Sequence, residues 1–173
     1  MSRGAHPRTT ALLLTVVGLV LLIEASLVRP TPRLIYNASD SVPVGWYRIG
    51  STNALHVGGI VLARLPTAPA AFAARRGYLP MRIPLLKRIG AMAPQVVCVH
   101  DGIVSIDNIP VAVTLLLDGS GRRLTAWPQC RRLRSGELFL LSTTNPTSFD
   151  SRYFGPVNAS AVIGQARPLW TWR

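Results

Sequence analysis

The sequence predicts a mainly β domain behind one N-terminal transmembrane helix. Three observations point there. Residues 9–28 form a 20-residue stretch whose only charge is Glu24. Beyond Arg29 the apolar runs are short and β-branched, the composition of strands. Those runs are parted by Pro, Gly, Asp-Gly and Asp-Asn, the residues that tight turns require.

Taken in order, the first element is the apolar stretch. Twenty residues at about 1.5 Å each cover about 30 Å, the hydrocarbon thickness of a bilayer. Arg3, His6 and Arg8 precede it as the positive flank expected on the cytoplasmic side, and Arg29 and Arg33 follow it. The chain then divides into a stub and anchor, residues 1–29, and an exported domain, residues 30–173. A cleaved signal peptide is the competing reading, because residues 11–23 resemble a signal h-region, yet Ile23-Glu24-Ala25-Ser26-Leu27 offers no Ala-x-Ala site.

Within the exported domain, residues 37–48 read as a turn, since Asn, Ser, Asp, Pro and Gly all favour irregular backbone. Residues 68–76 are Ala-rich and closed by Gly77, the pattern of a helix with its C-cap. Residues 96–100 and 103–106 flank Asp101-Gly102 as a tight hairpin. Asp107-Asn108 turns into a strand over 109–117, and Asp118-Gly119-Ser120-Gly121 makes a third turn. Residues 137–141 and 161–166 are further strands.

A formal charge of +12 on 173 residues would fit a nucleic-acid binder. The basic residues are scattered in ones and twos, without aromatic-basic interleaving, so no nucleic-acid partner is expected. Cys98 and Cys130 are the only cysteines; in an exported domain such a pair favours a disulfide, with two independent buried thiols as the alternative. No metal motif accompanies them, and neither metal nor cofactor is expected. The three histidines have no G-x-S-x-G elbow to serve, which argues against a histidine-based triad.

One residue stands apart from the rest of the positive charge. Of nineteen basic residues only Lys87 is a lysine. It lies in Ile83-Pro84-Leu85-Leu86-Lys87-Arg88-Ile89, where strand alternation puts Leu85, Lys87 and Ile89 on one face. An amine on an apolar face can lose its proton and act as a base, whereas a guanidinium stays charged. A hydroxyl nucleophile would complete a Ser-Lys arrangement, and Ser39 and Ser41 sit in the turn that follows the anchor. Asn37-Ala38-Ser39 also matches an N-glycosylation acceptor.

Five features in sequence resemble the type I signal peptidase family, on its TraF-type branch of conjugative-transfer peptidases. They are the anchor; Asn37-x-Ser39-x-Ser41-x-Pro43-x-Gly45-x-Tyr47; Gly77-Tyr78-Leu79-Pro80 leading to Pro84-Leu85-Leu86-Lys87-Arg88; Gly136-Glu137-Leu138-Phe139-Leu140-Leu141; and Ser148-Phe149-Asp150-Ser151-Arg152-Tyr153-Phe154-Gly155-Pro156-Val157. Ser142-Thr143-Thr144-Asn145 stands where the general signal peptidases carry Gly-Asp-Asn-Arg, which favours the transfer branch.

The resemblance implies a signal-peptidase-like β-rich fold and a Ser-Lys serine peptidase, with Ser41 as nucleophile and Lys87 as general base. It implies an oxyanion hole built from the Ser39 hydroxyl and the Ser41 amide, with Ser148 and Arg152 in support. Asp150 is counted as catalytic in the transfer branch; by its chemistry it orients Lys87 or Arg152, since a carboxylate beside Lys87 raises the pKa that catalysis needs lowered. The implied setting is the outer, periplasmic face of the inner membrane. The implied partners are an exported precursor such as a propilin, membrane lipid and other conjugation components. A non-catalytic anchored assembly factor is the alternative.

Overall fold

The computed structural model describes residues 7–27 and 33–172. The chain forms two compact units, Met1–Pro32 and Arg33–Arg173.

In the first unit the apolar stretch forms helix α1, Pro7–Leu27. Leucines and valines project on every side, with Leu12 and Leu22 about 70% exposed, and Thr15 satisfies its hydroxyl on the Ala11 carbonyl one turn back. Among the described residues no helix is long and apolar enough to cross a membrane, so the predicted transmembrane helix is not established. The predicted flanking residues Arg3, His6 and Arg29 lie outside the described residues.

The second unit is mainly β. Its strands are β1 (Leu34–Asn37), β2 (Val44–Ile49), β3 (Ile60–Ala63), β4 (Leu85–Met92), β5 (Val96–His100), β6 (Ile103–Ile106), β7 (Ile109–Val113), β8 (Cys130–Arg132), β9 (Glu137–Leu140), β10 (Val157–Asn158) and β11 (Val162–Trp172). Helices α2 (Thr67–Arg75) and α3 (Ser151–Phe154) complete it. Seven strands form one antiparallel sheet in the order β1-β2-β11-β3-β4-β9-β10, and four form another in the order β7-β6-β5-β8.

The tight hairpins form where they are predicted. Asp101, Gly102, Asp107 and Asn108 all take positive φ, between 49° and 78°, as two-residue turns of this hand demand. The expectation over residues 37–48 needs correction. Only residues 38–43 are a turn, because Val44–Ile49 alternates buried Gly45, Tyr47 and Ile49 with less buried neighbours, the period of a half-buried strand. The strand predicted over 109–117 stops at Val113, beyond which the Leu115 amide leaves the ladder and donates to the Tyr153 hydroxyl. Cys98 and Cys130 stand directly opposite each other on β5 and β8 and are joined in a disulfide. Closing that loop stabilises the fold by about 3–4 kcal/mol in the chain-entropy estimate.

Curling of the large sheet matters most for the site. Register shifts between Ile89 and Ala91, Val162 and Gly164, and Pro168 and Trp170 bend β4 and β11. At Gly164 a Cβ would stand 2.3 Å from the Gly50 carbonyl oxygen, so only glycine lets β11 pass so close. β2 and β9 are four places apart, about 19 Å in a flat sheet. The segments next to them nevertheless meet in the site.

Candidate active site

Lys87 is the third residue of β4, paired with Val61 on β3. Alternation places it with Leu85 and Ile89, whose side chains pack into one apolar cluster with Val61, Leu138 and Leu140, while Leu86 packs into another. Lys87 is 5% exposed and its amine donates to Ser148 Oγ. Arg88 points the other way and donates to the Gly58 carbonyl at 2.6 Å.

Burial is the main force on the Lys87 amine and pushes its pKa from the ordinary 10.5 down to about 8. The Asp150 carboxylate pulls it back up, Arg152 opposes that pull, and Asp40 adds a smaller upward effect. An amine with pKa 8 is neutral in about a tenth of molecules at pH 7, against about 3 in 10⁴ at 10.5. The apolar strand face thus multiplies the population able to accept a proton by about 300.

Ser41 lies in the turn between β1 and β2, 8% exposed. Asn37, itself buried, shapes that turn. Its Nδ2 donates to the carbonyls of Ser39, Val42 and Pro43, and its Oδ1 accepts from both the amide and the hydroxyl of Ser39. Three carbonyls around Nδ2 settle which end of the amide is nitrogen. Ser39 therefore spends its proton on Asn37, and the 3.1 Å contact between Ser39 Oγ and Ser41 Oγ leaves Ser41 as its donor. A buried Asn37 with its amide fully engaged is also closed to the glycosylation that its sequence context suggested.

The Ser148–Arg152 stretch folds as a short loop into α3, with Asp150 as its N-cap. Asp150 is fully buried and Arg152 is 1% exposed. Asp150 Oδ1 accepts from Arg152 Nε at 2.8 Å and Oδ2 from Arg152 Nη2 at 3.0 Å, a two-pronged ion pair, and Oδ2 also accepts from the Ser142 amide at 3.0 Å. Arg152 Nη1 donates to the carbonyls of Val113 and Pro146. The carboxylate is thereby held by the guanidinium and not by the amine.

The fold brings the sequence-predicted residues into one contact chain. Ser39 touches Ser41, the Ser41 carbonyl accepts from Ser142 Oγ at 2.9 Å, Ser142 binds Asp150, and Asp150 binds Arg152, while Lys87 joins through Ser148. Among the described residues Ser41 Oγ and Lys87 Nζ are not hydrogen-bonded to each other, and no acceptor takes up the Ser41 amide. Cys98–Cys130 belongs to the smaller sheet. His56 and His100 are exposed, His56 against the Ala54 carbonyl. Among the described residues no group of His, Cys, Asp and Glu could hold a metal ion. Sequence reasoning missed the work of the Asn37 side chain and of Ser142; Asn37 carried a signal, its place two residues before a serine in a turn, and Ser142 stood out only as part of Ser142-Thr143-Thr144-Asn145, with no role of its own.

A family model described as signal peptidase, peptidase S26, matches residues 7–172. The chain belongs to the S26 signal peptidase family. Within the family it is 33% identical over 147 residues to a plasmid transfer protein TraF of Escherichia coli, covering 79% of this chain and 82% of that one. It is 34% identical over 146 residues to a conjugal transfer protein TraF of Agrobacterium fabrum (strain C58 / ATCC 33970), covering 79% and 81%. The family resemblance read from the motifs, on its TraF-type branch, is thus established over most of the chain. Among solved structures it is similar to a signal peptidase I from Enterococcus faecalis V583, with a TM-score of 0.40 and 19% identity over 65% of this chain and 97% of that one.

Proposed function

We propose that the protein is a membrane-anchored serine endopeptidase that uses a Ser41–Lys87 dyad to process an exported precursor, such as a propilin, in conjugative transfer. The observation that carries this reading is the setting of Lys87. The only lysine of the chain is buried on an apolar strand face, its amine rests on Ser148, and burial brings its pKa to about 8. The names of the relatives, plasmid and conjugal transfer proteins, supply the context.

In the proposed cycle the Ser41 hydroxyl turns from Ser39 toward the neutral Lys87 amine. Ser41 Oγ attacks the scissile carbonyl carbon as its proton passes to Lys87 Nζ, and the carbonyl oxygen becomes an oxyanion. The unengaged Ser41 amide donates to that oxyanion, joined by the Ser39 hydroxyl as it turns from Asn37 Oδ1. Collapse breaks the C–N bond, and the leaving amine takes the proton from the Lys87 ammonium. Water, deprotonated by Lys87 in turn, hydrolyses the acyl-enzyme; an amine of the cleaved chain attacking in its place would join two ends by a new peptide bond. The Asp150–Arg152 pair braces the site without exchanging protons.

The anchor would be α1, with the catalytic unit on the periplasmic face of the inner membrane. A lipid-facing surface is supported by an aromatic band. Tyr36, Trp46, Trp170 and Trp172 are 41–73% exposed on neighbouring strands β1, β2 and β11, with ring centroids 5.3 to 6.4 Å apart. Exposed Leu34 and Leu169 border them, as do Arg48 and Arg167, a mixture that suits the headgroup region.

Full-length protein in detergent, incubated with a candidate propilin precursor and weighed by mass spectrometry, tests the reading. A shortened chain is expected, and a product lighter by one water identifies amine attack. Intact precursor in the presence of folded protein would overturn the enzyme and leave an anchored assembly factor. Below about pH 8 the rate should rise tenfold per pH unit as Lys87 deprotonates and level off above it; a flat profile from pH 6 to 9 contradicts a titrating amine. Ser39→Ala should slow processing by about 10²–10³ through loss of one oxyanion donor, measured as kcat. A loss confined to KM would place Ser39 in substrate binding instead.

A further inference from the structure

We propose that Ser142 is a positioning residue: it sets the approach of the Ser41 hydroxyl to the Lys87 amine, with the Asp40–Asn145 contact as its outer latch. This rests on the dyad reading above and gives a role to a residue that the sequence marks only as part of the stretch Ser142-Thr143-Thr144-Asn145.

A gap separates the two halves of the site. Ser41 and Ser39 belong to the turn after β1, whereas Ser148, which holds the Lys87 amine, lies beyond the C-terminal end of β9. No backbone ladder joins these regions, since β1 and β9 are five places apart in the sheet. Two side-chain contacts join them. Ser142, 2% exposed, donates from Oγ to the Ser41 carbonyl at 2.9 Å, and Asn145 Nδ2 donates to Asp40 Oδ1. Both belong to one tight structure. Ser142 Oγ accepts from the Asn145 amide at 3.2 Å, and the Asn145 carbonyl accepts from the Ser148 amide at 3.3 Å. Asn145 Oδ1 accepts from the amide and hydroxyl of Thr147 at 2.8 and 2.7 Å. The Ser142 amide is bound to Asp150 and its carbonyl accepts from Arg152, so the residue cannot drift relative to the ion pair.

The Ser142 hydroxyl is therefore a short rigid strut between the nucleophile's own backbone and the segment that ends on Ser148. In the resting arrangement Ser41 donates to Ser39 and must turn by rotation about its side chain to reach Lys87. Such a rotation delivers the oxygen to the base only if the Ser41 backbone is held still, and a displacement of about 1 Å costs about 10²-fold in rate. Ser142 thus acts through Ser41 and touches no substrate.

The test compares full-length wild type with Ser142→Ala, Ser142→Thr and Asn145→Ala in detergent. Each uses a quenched-fluorescent peptide containing an Ala-x-Ala segment, with rates divided by the titre of active sites. Ser142→Ala should lose about 10–10² in kcat with KM within twofold, and the alkaline rise of the rate should stay at the wild-type pH. Ser142→Thr, which keeps the hydroxyl, should restore most of the loss. Asn145→Ala, at the rim and outside the buried pair, should lose kcat several-fold with KM unchanged. Wild-type kcat in both Ser142→Ala and Asn145→Ala would overturn the proposal, as would an equal loss in Ser142→Thr and Ser142→Ala. Failure of the wild type itself to cleave any precursor or peptide would instead overturn the dyad reading.

Discussion

Replacing Lys87 by Arg is expected to reduce precursor processing by at least about 10⁴-fold, as losses of a member of a catalytic unit do. A guanidinium cannot release its proton, so the base is lost although charge and hydrogen-bonding capacity are kept. Arg is also bulkier, and Lys87 is 5% exposed, so Lys87→Met supplies a variant that fits the apolar face of Leu85 and Ile89. It should be equally inactive and, at pH 7, within about 1 kcal/mol of wild-type stability or above it, because a buried amine no longer needs to be desolvated. Linkage gives a second signature. The folded-state pKa of Lys87 is lowered, so between about pH 8 and 10.5 the unfolded chain holds more protons than the folded one. Wild-type stability therefore rises with pH through that window, and the rise should vanish in Lys87→Met. Ser41→Ala should match the loss of processing without either change in stability. Residual processing by Lys87→Arg at even a hundredth of the wild-type rate would sink the dyad.

Arg152→Ala should destabilise the fold by about 3–5 kcal/mol, measured by urea titration, because it strands a fully buried carboxylate. Asp150 would keep only the Ser142 amide on its oxygen and the first-turn amide of Arg152. The effect is not a measure of what the ion pair adds to stability. Removing both charges together, as Asp150→Asn with Arg152→Leu, should be far less harmful than either alone. The same change should reach Lys87, whose amine feels Asp150 raising its pKa and Arg152 lowering it. With Arg152 gone, the alkaline rise of the remaining activity should move to higher pH. A loss under 1 kcal/mol would mean that water enters and solvates Asp150.

Local physics makes much of the protein legible in its sequence. Positive φ at Asp-Gly and Asp-Asn pairs is a property of two residues, so the hairpins around β5, β6 and β7 are legible, as is α2 closed by Gly77. β3 is buried at every position and so shows no alternation, and β8 and β10, of three and two residues, are too short to show one. Val44–Ile49 was obscured by Gly45, which turn statistics claim but which serves close passage: its Cβ would stand 2.2 Å from the Trp170 carbonyl oxygen on β11. Cys98 and Cys130 could be paired by counting, yet their register opposite one another depends on β8 crossing to β5.

The candidate site divides the same way. A single lysine among apolar alternating residues, two serines in one turn and a Ser-x-Asp-Ser-Arg box are features of residue type and spacing, and with family resemblance they are enough to propose the chemistry from sequence. Which atoms meet is another matter. Ser41 donates to Ser39 and Arg152 holds Asp150 within local turns, two positions apart, but that Lys87 rests on Ser148 and that Ser142 ties the Ser41 turn to the segment beyond β9 are set by a curl accumulated over three register shifts. Residue type and spacing act over a few positions of chain, whereas the Lys87–Ser148 and Ser41–Ser142 contacts join positions 61 and 101 residues apart, and only the curled sheet brings them within hydrogen-bonding distance.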